Sequence, residues 1–199
     1  MMGESHFILG GVATYAVLRT TGHSTATDGI VTFGLALGLG ALVALLPDID
    51  SPNTLIRIIF GIGSRQARAK VWRSPNAIAF VINIIRLLIA FILDVLAWLL
   101  PHRGPTHWLI VALALSAAVY GVVWWYYWPD AFWLAFVTGY ISHLFADSLT
   151  SRGIRLFAPF YNRSVGIPIR WLRVRTGSWQ EGIALLGLVG LLVLWVMYI

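Results

Sequence analysis

Six apolar stretches account for most of this 199-residue chain: residues 6–20, 29–47, 77–100, 107–128, 131–150 and 181–199. About 20 apolar residues suffice to cross a bilayer as a helix. Only 11% of residues are charged and 59% are hydrophobic, roughly half the usual charge of a soluble domain. The expected fold is all-α, a polytopic membrane helix bundle. No internal repeat or low-complexity tract divides it, so residues 1–199 read as one domain. The start, MMGESHFILGG, lacks the basic n-region and clean small-residue cleavage site of a signal peptide. Gly-rich 29–47 suits close helix–helix approach. The run WWYYW at 124–128, continued by AFW at 131–133, reads as an aromatic belt at one interface.

The net charge of +6 comes largely from two segments. Arg57, Arg65, Arg68, Lys70 and Arg73 form one; Arg152, Arg155, Arg163, Arg170, Arg173 and Arg175 form the other. Cations gathered beside apolar spans are a positive-inside signal. They point to lipid headgroups rather than nucleic acid as partners. The expected location is the cell's inner membrane, with both basic loops cytoplasmic. Residues 6–20 then run outward, 29–47 inward, 107–128 outward and 131–150 inward. Residues 77–100 leave and must regain the cytoplasmic side, so they are expected not to traverse. A re-entrant hairpin or an interfacial helix fits. Arg86 and Asp94 within this stretch agree, because charges facing lipid are costly. Eight residues apart, about 12 Å along a helix, they are too far apart to pair directly.

This path brings one set of polar residues to a common depth. His6 begins the first span. Asp48 and Asp50 follow the second, in PDIDSPN. His102 and His107 flank the junction PHRGPTHW. His143 and Asp147 end the fifth span. His23 alone among the histidines falls in the opposite loop. Each piece also has an ordinary reading: an interfacial histidine, a turn with capping carboxylates, a polar loop broken by Gly-Pro, a helical His–Asp pair. Their convergence favours a cation. Carboxylates at helix C-termini are disfavoured by the helix dipole and by low dielectric, and a divalent ion reverses both effects. His143 and Asp147, spaced i, i+4, share a helix face. Asp48 and Asp50 share one side of an extended turn. Pro105 can open the next helix, with His107 in its first turn.

Seven N/O ligands suit two or three ions, with no cysteine for a thiolate site. Mixed His/Asp ligation fits Zn, with Mn or Fe as alternatives. Such a centre can activate water and clamp both oxygens of an in-line displacement. Arg103 is placed to steady phosphate charge or to anchor at the interface. Arg152 and Arg155 are weaker choices for the same role.

An N-terminal histidine, then LPDID, HRGPTH, SHLFADSLTSRG and LFAPF, resembles the YdjM-like family of membrane-bound, metal-dependent hydrolases over residues 3 to 161. That family is held to be distantly similar to zinc-dependent phospholipase C and P1-type nucleases. The resemblance implies metal ligation by His6, Asp48, Asp50, His102, His107, His143 and Asp147. It also implies a hydrolase, and Asp50 and Arg103 are the residues expected to act in catalysis. One departure stands out: the family often carries serine after the His107 position, and here it is Trp108. The expected function is metal-dependent hydrolysis of a phospholipid or lipid-linked phosphoester at the cytoplasmic interface. The alternatives are a non-catalytic metal-binding membrane protein, a transporter or a degenerate hydrolase acting as a scaffold. Transport calls for polar residues continuing outward, where few besides Thr14 and Thr32 occur. A metalloprotease calls for an H-E-x-x-H helix, and the glutamates are only Glu4 and Glu181.

Overall fold

The computed structural model describes residues 2–50, 76–99, 104–166 and 173–198, the side chains of Asp50, Leu96, Ala97 and Leu99 aside. The described residues form seven α-helices: α1 (Gly3–Thr20), α2 (Thr25–Asp28), α3 (Ile30–Val43), α4 (Ala77–Leu99), α5 (Leu109–Trp125), α6 (Ala131–Ser148) and α7 (Trp179–Tyr198). Two short 3-10 helices, η1 (Leu46–Asp50) and η2 (Pro105–His107), join them. The architecture is an all-α membrane bundle, as the sequence leads one to expect.

Helices α1, α3 and α6 form the centre, packed on one another, with α5 against α6 and α7 against α1. Lipid tails are as apolar as leucine, so packing rather than water exclusion drives helices together in a bilayer. Small residues serve that purpose, and Ala16, Ala36, Ala131 and Ala135 are fully buried. At the crossing point three glycines meet. A Cβ on Gly139 would strike the Gly40 carbonyl oxygen, and a Cβ on Gly40 would strike Thr14. A Cβ on Gly10 would lie 2.5 Å from that of Ala44. Gly34 and Gly38, also on α3, face open space. The close approach expected of the Gly-rich stretch thus rests on Gly40.

The packing also gives directions. Leu18 clusters with Phe33, Ala36, Ala131 and Ala135 at one end of the bundle. Leu9 meets Ala146 towards the other. The start of α1, the ends of α3 and α6, and the start of α5 therefore share one end. Glu181 brings the start of α7 there too, accepting from Ser5 Oγ at 2.6 Å, Met2 N at 2.5 Å and Gly177 N at 2.7 Å. Exposed Trp124, Trp125, Tyr126, Tyr127 and Trp128 mark the opposite end of α5. Beyond α6, isolated bridges Thr150–Val174 and Ile154–Val165 fold the basic segment back. Ile154 is buried beside Val43, Ala112 and Tyr140.

Several sequence expectations need correction. Helix α3 is 14 residues, about 21 Å long, short of a hydrocarbon core of about 30 Å. It gives way at Ala44 to a turn and η1 instead of running to residue 47. Residues 77–99 form one uninterrupted helix of 23 residues, which removes the re-entrant hairpin. This helix and α7 are each long and apolar enough to cross a membrane. Yet α4 packs chiefly on η1 among the described elements, through Ala90 and Leu93 against Ile49. Asp50 and Gly104, the described residues on either side of 51–75 and 100–103, stand at the same end of the bundle. As expected from their spacing, Arg86 turns to a partner other than Asp94, reaching Asn83 Oδ1 at 3.5 Å.

Candidate metal centre

Five of the seven expected ligands converge. His6 sits in the first turn of α1, Asp48 in η1, His107 at the end of η2, and His143 and Asp147 in the last turns of α6. The sequence path brought these four segments together, and the bundle does so in fact. Two local details differ. Residues 46–50 form a 3-10 helix, with three residues per turn, so the alternation of an extended turn is absent. His107 closes its own 3-10 turn, with Pro105 at its start, and extended Trp108 separates it from α5.

The rings are held from behind. His143 Nδ1 donates to the Ala44 carbonyl at 2.7 Å, an oxygen freed by the end of α3. Its Nε2 therefore carries a bare lone pair in the neutral ring. His107 Nδ1 lies 3.1 Å from Thr106 Oγ1, and Tyr140 donates its hydroxyl to the Thr106 carbonyl at 2.6 Å. His143 Nε2 and His107 Nε2 face each other at 3.2 Å. The His6 ring stacks on that of His143 at 3.8 Å, tilted 21°. His6 Nε2 is 3.2 Å from Asp147 Oδ1, yet off the line a hydrogen bond requires, and neither His6 nitrogen has a hydrogen-bond partner among the described residues.

The carboxylates complete the set. Asp48 Oδ1 lies 3.6 Å from His107 Nε2 and 3.8 Å from His143 Nε2. Asp147 Oδ2 lies 3.7 Å from His107 Nε2. One donor atom from each of Asp48, His107, His143 and Asp147 falls within 4.8 Å of the others. Donors about 2.1 Å from a shared tetrahedral ion are about 3.4 Å apart, so binding would draw the wider pairs of this set inward. The three imidazoles are fully buried and Asp147 nearly so, while the Asp48 side chain keeps 19% exposure. Burial pushes the Asp48 carboxyl up, but the neighbouring His107, then His143 and His6, outweigh it and bring it down to about 2. Two carboxylates in so enclosed a place carry a charge that low dielectric penalises heavily. A divalent cation neutralises it. The donor set, with the His6 imidazole 3.2 Å from Asp147 on its edge, fits such an ion.

His102 and Arg103 lie outside the described residues, and Asp50 is described only in its backbone, at the end of η1. Arg152 and Arg155 are exposed on the segment that follows Asp147. His23 pairs with Asp28 at 2.9 Å, at the far end. Sequence reasoning overlooked the supports: the Ala44 carbonyl, the Tyr140–Thr106 link and buried Glu181. Only Glu181 carried a visible signal, as a lone acid opening an apolar helix.

Comparison with known proteins agrees with the membrane setting. The chain is 33% identical over 120 residues to inner membrane protein YdjM of Escherichia coli (strain K12), and equally to that of Shigella flexneri. The matched stretch covers 59% of this chain and 46% of each relative, less than half their length. No solved structure matches. A family model described as YdjM inner membrane protein matches residues 1–199, and this chain therefore belongs to the YdjM inner membrane protein family.

Proposed function

We propose that this protein is a metal-dependent hydrolase of a phospholipid or lipid-linked phosphoester. The reading rests on one observation above all: imidazoles and carboxylates from four segments meet, buried, at one end of a membrane bundle. His6, Asp48, His107, His143 and Asp147 would hold the ions, with Asp50 and His102, neighbours in sequence, completing a site for two or three. Zinc suits the donors best, with manganese or iron as substitutes. When bound, such ions supply a Lewis acid and an activated water for displacement at phosphorus.

The chain's own residues do the rest. Ala44 and Thr106 fix the rings, so their Nε2 atoms meet the site without reorganisation. Arg103, beside His102, steadies negative charge on the phosphate. Asp48 is the most accessible cluster residue and marks the side from which a headgroup enters. The multi-pass path with the cluster at the cytoplasmic face follows from the basic segments 57–73 and 152–175, since the latter directly follows Asp147.

The test uses purified protein, stripped with chelator and reloaded with Zn or Mn in phospholipid bilayer discs. Release of phosphate or headgroup that is lost in His143→Ala/Asp147→Ala supports hydrolysis. Equal turnover in the double variant rejects it. Tight metal binding without turnover on any phospholipid or polyprenyl phosphate favours a structural or carrier role.

A further inference from the structure

A cavity of about 830 Å³ lies between α5 and α6, within the range of small-molecule sites. Leu46, Ile49, Thr106 and Tyr140 line one end, and Trp128 and Phe132 the other. The first end is lined by chain neighbours of the metal centre. Leu46 and Ile49 flank Asp48, and Thr106 touches His107. The polar groups there are already committed, Thr106 to His107 and the Tyr140 hydroxyl to the Thr106 carbonyl. The wall is otherwise aliphatic and aromatic, so it offers an occupant apolar contact.

Depth narrows the choice of occupant. From Leu115 to Val123 the α5 wall runs eight residues, about 12 Å. With the stretch back to Thr106 added, the groove runs about 25 Å, most of a hydrocarbon core about 30 Å thick. One side is open, since Leu115 and Val122 are exposed, and in a bilayer that side faces lipid tails. A single acyl chain fits within that length, whereas a polyprenyl chain, longer than the core is thick, would overrun the aromatic end. We infer that the α5–α6 groove takes one acyl chain of a glycerophospholipid, whose head then lies at the metal centre. What happens to that head rests on the hydrolase reading above; the seating of the chain does not.

The test therefore reads binding without turnover. Full-length protein, metal-stripped, is placed in bilayer discs containing phosphatidylglycerol with a diazirine on one acyl chain, irradiated, and mapped by peptide mass spectrometry. Adducts should concentrate on Val119, Val122 and Phe136. Ala118→Trp, which fills the groove, should abolish them while sparing adducts on Leu186 and Leu194 of the outer face of α7. Ala117→Trp, off the groove, should leave both sets unchanged. Labelling as dense on α7 as in the groove, or groove labelling that survives Ala118→Trp, overturns the proposal. The wild-type map decides even if Ala118→Trp fails to fold. Groove labelling without hydrolysis under any metal would sink the hydrolase reading alone, and hydrolysis without groove labelling would sink the groove.

Discussion

His107 Nε2 and His143 Nε2 face each other across 3.2 Å at the buried end of the bundle. The Ala44 carbonyl holds the proton of His143 on Nδ1, so this approach turns one lone pair towards the other ring. Two carboxylates close the same space. A single proton can bridge the nitrogens, but it leaves the carboxylates poorly compensated; a divalent ion serves all four groups at once.

Metal binding should therefore stabilise the fold. A ligand bound only by the native state, at a thousand times its Kd, adds about 4 kcal/mol. Chelator-treated protein in detergent should melt lower than protein reloaded with Zn, and His143→Ala/Asp147→Ala should melt at one temperature with or without metal. A melting point indifferent to chelation and reloading in the wild type would remove the ion from the account.

Thr106 lies behind His107, with its hydroxyl 3.1 Å from Nδ1. Partners that orient a ligating imidazole commonly contribute 10–100-fold in metal affinity, so Thr106→Val should weaken binding by about that factor. Competition titration against a fluorescent chelator measures it. Since the Tyr140 bond goes to the Thr106 backbone, helix content should not change.

How far the site was legible follows from where its information lies. His143 and Asp147 were readable because i, i+4 spacing on a helix is a local rule. The union of four segments was readable because charge patterning and span lengths set chain direction, and direction decides which ends meet. The geometry of Asp48 was not, since nothing local distinguishes a 3-10 turn in LPDID from an extended one. The continuity of α4 was hidden by its polar residues Asn83, Arg86 and Asp94, which suggest a break that an outward-facing helix does not need. Ala44 was invisible, because a backbone carbonyl becomes a ring support only once α3 ends beside α6.

Acid should act on the metal-free cluster through Asp48. Its carboxyl is lowered from 3.8 to about 2, despite burial, by His107 and the other imidazoles. A depressed carboxylate stabilises the fold above its unfolded value and loses that contribution as pH falls through the folded one. The window is thus pH 4 to 2, and the loss about 2 kcal/mol at 1.36 kcal/mol per unit. Unfolding of stripped wild type should steepen across that window relative to Asp48→Asn, followed by near-ultraviolet circular dichroism. Parallel curves would mean that the carboxylate gains nothing from its neighbours.

The glycine crossing gives a test of packing separate from the metal. Gly139 and Gly38 are both glycines inside helices, where alanine is ordinarily favoured by up to about 1 kcal/mol. At Gly38 nothing lies within 4 Å of the added carbon, so Gly38→Ala should be neutral or stabilising. At Gly139 the same carbon meets the Gly40 backbone oxygen, which no side-chain rotation can move aside. Helices α3 and α6 must then part, and overpacking of this kind costs about 1–3 kcal/mol. The separation also carries Ala44 away from His143, so Gly139→Ala should weaken metal binding as well as lower the melting temperature. Equal melting temperatures for the two variants would mean that α3 and α6 do not touch at Gly40.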